Sequence, residues 1–205
     1  MFTGYSIGLE EQLILRIDQE LRNQLDDIIT KMQTLAHKFD IKRVKERSPF
    51  KNVLTVATDP TSSLEVIKND IRYQAGRKEA SKVWKLEETE NGKKQVFADA
   101  VVQQINDLSE NFQKIFDSIN DSLEAEMQFL KEETKNRGNQ ELFKKQENLE
   151  LLKNHLQANK QRLRQSIHLN LAQLYLGYLS REHTALVGYG KDDNEQNPNQ
   201  KPKNK

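Results

Sequence analysis

A chain of 205 residues with 32 basic and 31 acidic side chains carries a net charge of +1, so no global field draws it onto nucleic acid or an anionic membrane, and any polyanion site must be a local patch. Hydrophobic residues make up 35% against 31% charged, which is lean for a compact α/β domain and favours long, solvent-bathed helices. The absence of cysteine excludes disulfides, thiol catalysis and cysteine-ligated zinc.

The start, MFTGYSIGLEEQL, lacks the basic region and apolar run of a secretory signal, and no window approaches the roughly 20 apolar residues of a membrane span. A soluble cytoplasmic protein without membrane contact is expected. From residue 9 to about 40, Leu13, Ile17, Leu21, Leu25, Ile28, Met32, Leu35 and Phe39 recur at steps of three and four. This spacing predicts an amphipathic helix of about 30 residues, roughly 45 Å long. Its stripe is narrow, as in a coiled-coil seam or slim bundle, and Ile14 and Ile29 widen it locally.

Residues 41–60 read as a basic connector. Lys42, Arg43, Lys45, Arg47 and Lys51 are opposed only by Glu46, and Ser48-Pro49 interrupts the helical pattern. The run Val53-Leu54-Thr55-Val56-Ala57 has β-branched character, but without an obvious second strand it is expected to lie as an extended loop on the bundle. A short helix follows over 62–76. Ser62 and Glu65 have the spacing of a capping box, Gly76 suits a left-handed closing residue, and Leu64, Ile67 and Ile71 share one face. Lys68, Arg72 and Arg77 leave a basic edge. Trp84 lies among Lys78, Lys82 and Lys85; it suits either base stacking or anchoring of a loop to the core, and the anchor is favoured. An acidic turn ending in Asn91-Gly92 has the sequence of a tight hairpin.

Two further long helices are predicted, from 93 to about 135 and from about 140 to 180, joined at Asn136-Arg137-Gly138-Asn139 as an antiparallel hairpin within 93–182. The first has a broad face, with Phe116, Met127 and Phe129 beside the main stripe. Residues 189–205, with two prolines after Gly190, are expected to be a disordered tail. The architecture expected is therefore an all-α, elongated helical bundle or coiled coil, with three long helices and one short helix in a single domain over 1–188.

Catalytic signatures are missing. His37, His155, His168 and His183 are far apart and lack an HExxH-type pairing; no Gly-rich phosphate loop or GxSxG elbow occurs. Glu10 and Glu11, like Glu132 and Glu133, are adjacent and so point to different sides of a helix. No enzyme activity, metal site or cofactor is expected. What remains is clustered positive charge. Lys42, Arg43, Lys45, Arg47, Lys68, Arg72, Arg77, Lys78 and Lys82 are candidate phosphate contacts, and Arg72 and Arg77 flank Tyr73, a guanidinium-plus-aromatic arrangement suited to single-stranded RNA.

The segment IRYQAGR over 71–77, following the capped helix, resembles the small helical-bundle subunit of type III CRISPR effector complexes, whose central helix ends in an aromatic-x-x-Gly-Arg-like segment. The likeness covers about a tenth of the chain, and the long first helix, the Trp84 insertion and the long C-terminal hairpin depart from that family's compact bundle. The resemblance implies a non-catalytic subunit of an antiviral ribonucleoprotein, present in several copies, with Arg72, Arg77 and Tyr73 near RNA. The alternative is a coiled-coil scaffold or self-associating protein whose long stripes meet partner helices. Protein partners or further copies of the chain are expected in either case.

Overall fold

In the computed structural model, residues 3–90, 92–137 and 139–195 are described. Among them six α-helices and one two-stranded hairpin account for most of the regular structure, and with 82% of the described residues helical the class is all-α. The helices are α1 (Thr3–Lys38), α2 (Lys51–Ala57), α3 (Leu64–Gly76), α4 (Phe97–Arg137), α5 (Gln140–Ala158) and α6 (Lys160–Glu195); the strands are β1 (Glu87–Glu90) and β2 (Lys93–Val96). Contacts divide the chain into two compact units, one of Met1–Asp27 with Asp107–His168 and the other of Ile28–Asn106 with Leu169–Lys205.

In the first unit the periodic apolar residues form the core as their spacing predicts. Leu13, Ile17 and Leu21 are buried from α1, and Phe112, Ile115 and Ile119 from α4. Lys153 Nζ lies 2.7 Å from Glu124 and Gln157 Nε2 donates to Asn120 at 3.0 Å, so later residues of α5 meet earlier residues of α4 in an antiparallel pair. Asn139 starts α5 by accepting the Glu141 N–H at 2.9 Å. The single helix expected from 140 to 180 is broken at Asn159. Its side-chain amide donates to the His155 carbonyl at 2.9 Å, while its own carbonyl accepts the N–H of Leu163, so one helix closes and the next opens on the same residue.

The second unit departs further from expectation. Residues 51–57 form α2 and not an extended loop, because Phe50, Val53 and Ala57 fall at helical spacing and are all buried. Burial of that face outweighs the strand preference of the β-branched residues. The capping residue of α3 is Ser63, not Ser62, and accepts the Val66 N–H at 3.4 Å. Asp59 explains the shift. Its carboxylate takes the N–H and hydroxyl of Thr61, and its carbonyl the N–H of Ser62, so the turn occupies 59–62. Glu65 does not reach back to complete a capping box but pairs with Lys68. Gly76 is not a left-handed cap either. It is the last helical residue, Arg77 beyond it is extended, and the Arg77 carbonyl accepts from Lys85 Nζ at 2.6 Å.

Strands β1 and β2 pair antiparallel with Glu90 opposite Lys93, leaving a two-residue loop in which Gly92 has φ +74°; Asn91 lies outside the described residues. The first four residues assigned to the second long helix are therefore strand. α6 continues to Glu195, so 189–195 is helical backbone where a tail was expected; residues 196–205 lie outside the described part.

One ion pair makes the first unit sensitive to pH. Arg16 holds Glu126 through two hydrogen bonds of 2.7 and 2.8 Å. These bonds, against opposing desolvation, lower the Glu126 carboxyl below its ordinary 4.5. The folded value lies below the unfolded one, so the contribution is complete above 4.5 and is lost as pH falls through the lowered value. Urea denaturation of wild type and Glu126→Gln should differ at neutral pH by at most about 1 kcal/mol, because the carboxylate is half-exposed and screened. The difference should shrink as pH falls below 4.5 and through the lowered value.

Candidate functional site

Between α1 and α2 the chain makes a short, fixed excursion. Asp40 (φ 44°, ψ 52°) and Ser48 (φ 57°) are both left-handed, and they bracket a 3-10 turn over Ile41–Arg43 followed by irregular backbone. Non-glycine residues adopt this conformation only where surrounding contacts hold them there. The contacts are specific. Ile41 and Val44 are buried, the Val44 carbonyl lies 2.8 Å from His183 Nε2, and the Glu46 carboxylate accepts the N–H of Lys82 at 3.1 Å. A carbonyl can only accept, so Nε2 of His183 carries the proton in this bond.

With Ile41 and Val44 buried and the half-buried Glu46 bonded to the Lys82 N–H, Lys42, Arg43, Lys45 and Arg47 are left exposed. They line two clefts against the end of α6. One, of about 470 Å³, is bounded by Lys45, Glu46, Arg47 and Ser48 on one side and by His183, Thr184, Val187 and Gly188 on the other. The other, of about 260 Å³, is bounded by Asp40, Lys42, Arg43, Lys45, Leu186 and Val187. Lys45 and Val187 belong to both, so the two form one basic groove with an apolar flank. Lys42 and Arg43 have counter-ions at the outer limit of pairing, Asp40 and Glu88, each at 3.9 Å. Lys45 and Arg47 have no hydrogen bond or ion pair among the described residues.

The remaining candidates fare differently. Lys68 is only 13% exposed, paired with Glu65 and bonded to Asn106 at 3.0 Å, so it pins α3 to α4 and has little capacity for a ligand. Arg72, Tyr73 and Lys78 are exposed, and the Arg77 guanidinium lies 5.9 Å from the Tyr73 ring centroid. Lys82 reaches the connector through its backbone bond to Glu46. No hydrogen bond or ion pair among the described residues joins Lys68, Arg72, Tyr73 or Arg77 to residues 42–47. Trp84 is buried edge-on against Phe50 at 5.2 Å, which makes it the anchor and removes it from base stacking.

The α6 side of the groove escaped the sequence reading. Nothing local marks His183, Thr184, Val187 or Gly188 as neighbours of residues about 140 positions earlier. Among the described residues no group of three or more potential metal ligands occurs, and no helix is long and apolar enough to cross a membrane.

Compared with protein-family models, curated proteins and solved structures, the chain matches none. Fold and groove together define a class: a predominantly α-helical protein that presents a short basic segment, fixed at both ends, beside a helix terminus.

The groove depends on its histidine. Replacing His183 by Ala leaves the Val44 carbonyl without its donor and opens a space beside Phe50, at a cost of about 3 kcal/mol in urea denaturation. Lys45→Ala, on the exposed side, should change stability by no more than about 0.5 kcal/mol.

Proposed function

We propose that this chain is a non-catalytic RNA-binding and assembly subunit of a ribonucleoprotein, and that the groove formed by residues 42–48 and the end of α6 is its RNA contact. The observation that carries this reading is the pair Lys45 and Arg47, exposed in a cleft and without an ion partner among the described residues. A cation with no counter-ion loses no existing bond on meeting a phosphate, and an arginine offers a bidentate fork. Arg72, Tyr73, Arg77, Lys78 and Lys82 form a second proposed contact, with Lys82 nearest the groove. The setting is a multi-subunit effector, and its support is the resemblance of residues 71–77 to the type III CRISPR small subunit.

Fluorescence anisotropy with short single-stranded RNA tests the proposal. Affinity should fall steeply with salt, and Arg47→Glu should weaken binding at low salt by about tenfold or more. Failure of the wild type to bind at low salt ends it.

A second reading, a self-associating scaffold, is favoured by a separate observation. In the first unit Leu15 is 69% exposed, Phe129 63% and Phe143 55%, three large apolar side chains that a second copy of the chain would cover. Light scattering should then show a mass above that of one chain, reduced in Leu15→Lys/Phe143→Lys. A monomer at every concentration argues against it.

A further inference from the structure

The local geometry of residues 44–47 says more about what the groove recognises, and the inference rests on the RNA-binding reading above. Val44 is extended (φ −91°, ψ 96°), and burial then alternates: Val44 buried, Lys45 exposed, Glu46 half-buried, Arg47 exposed. That is the two-residue period of an extended chain. Both inward members are tied, Val44 by His183 and Glu46 by the Lys82 N–H. Lys45 and Arg47 are therefore held on one side, with Cα atoms about 6.6 Å apart at about 3.3 Å per residue. This is comparable to the separation of neighbouring phosphates along an unstacked single strand.

The walls complete the picture. Hydroxyls of Ser48 and Thr184 border the same cleft, and Val187 and Gly188 form its far side. Among the described residues that line the cleft, His183 carries the only aromatic ring. Phe50 is fully buried, and the His183 ring is spent on Phe50, 5.7 Å away, and on the Val44 carbonyl. Stacking platforms are what give single-strand binders their grip on bases, and the described lining of this groove, two cations, one carboxylate and two hydroxyls beside a buried His183, offers none. Gly188 borders the cleft, and a Cβ placed there would meet nothing within 4 Å, so a larger side chain can be added at this edge without a clash.

From this arrangement we infer that the groove binds two successive phosphates of one RNA strand, one at Lys45 and one at Arg47, and does not read the bases. Specificity, where the ribonucleoprotein shows it, has to come from elsewhere in the assembly.

The test is a salt series of anisotropy measurements with oligouridylate and oligoadenylate, and with inorganic polyphosphate and polyglutamate as competitors. The two RNAs should bind within threefold of each other, about 0.7 kcal/mol at most. The slope of log affinity against log salt should become shallower by about 0.7 in Lys45→Ala or Arg47→Ala and by about 1.4 in the double variant. Gly188→Leu should weaken RNA by fivefold or more at unchanged charge, because it adds a larger side chain at the cleft edge; circular dichroism confirms that α6 remains helical. Wild-type binding with an unaltered slope in the double variant overturns the inference while leaving RNA binding in place at another surface. A tenfold preference for one base overturns it too, as does tighter binding of polyphosphate or polyglutamate than of RNA. No RNA binding by the wild type removes both this inference and the function on which it rests.

Discussion

The ring of Phe50 is the point on which the groove-bearing unit depends. It meets Trp84 edge-on at 5.2 Å, His183 edge-on at 5.7 Å and Phe97 at 6.3 Å, while Phe97 in turn takes the edge of Phe39 at 5.3 Å. Such contacts contribute about 0.5–1.5 kcal/mol each beyond the apolar area they bury. Their placement matters more than their sum. The five rings come from the end of α1, the entry to α2, the turn before β1, the start of α4 and the last part of α6. Segments with little regular structure of their own are fixed in relation to one another by this cluster. The connector of residues 40–48 runs directly into it, and so acquires a defined course without being helix or strand.

Polar bonds then refine what the rings establish. His183 serves both roles, presenting a ring face to Phe50 and an N–H to the Val44 carbonyl. Tyr175 is similar one level deeper: it is buried, its hydroxyl donates to Gln104 at 2.6 Å, and burial pushes its ionisation far upward, so it stays a neutral donor. Gln173 donates to the Ala57 carbonyl at 2.8 Å, which satisfies a group left open at the end of α2. Buried polar groups of this kind cost stability unless they are paired, and these are paired across long stretches of sequence.

Much of the fold was legible because helix periodicity is a local signal. The stripe from Leu13 to Phe39, apart from a half-buried Leu25, and that from Phe97 to Leu123 appear in the core as their spacing predicts, and the hairpin of β1 and β2 and the anchoring of Trp84 followed from residue chemistry. The failures have two causes: competition between neighbours, and partners that are distant in sequence. Ser62 and Ser63 are equally good caps until Asp59 claims the turn before them, and Asn159 ends a helix only because its amide finds the His155 carbonyl. Residues 51–57 have strand-like composition, but they fold around a buried face whose partners are distant in sequence. For the candidate site, positive charge was readable at Lys42, Arg43, Lys45 and Arg47, whereas its availability was not. Lys68 looks as free as Lys45 in the sequence; Glu65 and Asn106 decide otherwise. The opposing wall from α6 was invisible for the same reason.

The alternation across residues 44–47 makes the connector intolerant of a change in length. Substitutions at Lys45 or Arg47 alter one side chain each, but inserting or deleting a single residue after Val44 reverses the parity of the segment. The ammonium and guanidinium would then turn toward the interior, and the Lys82 N–H would lose the Glu46 carboxylate that accepts it. Divergence in this stretch is therefore expected to exchange one cation for another or to move by residues in pairs, with Asp40 and Ser48 keeping the span between them.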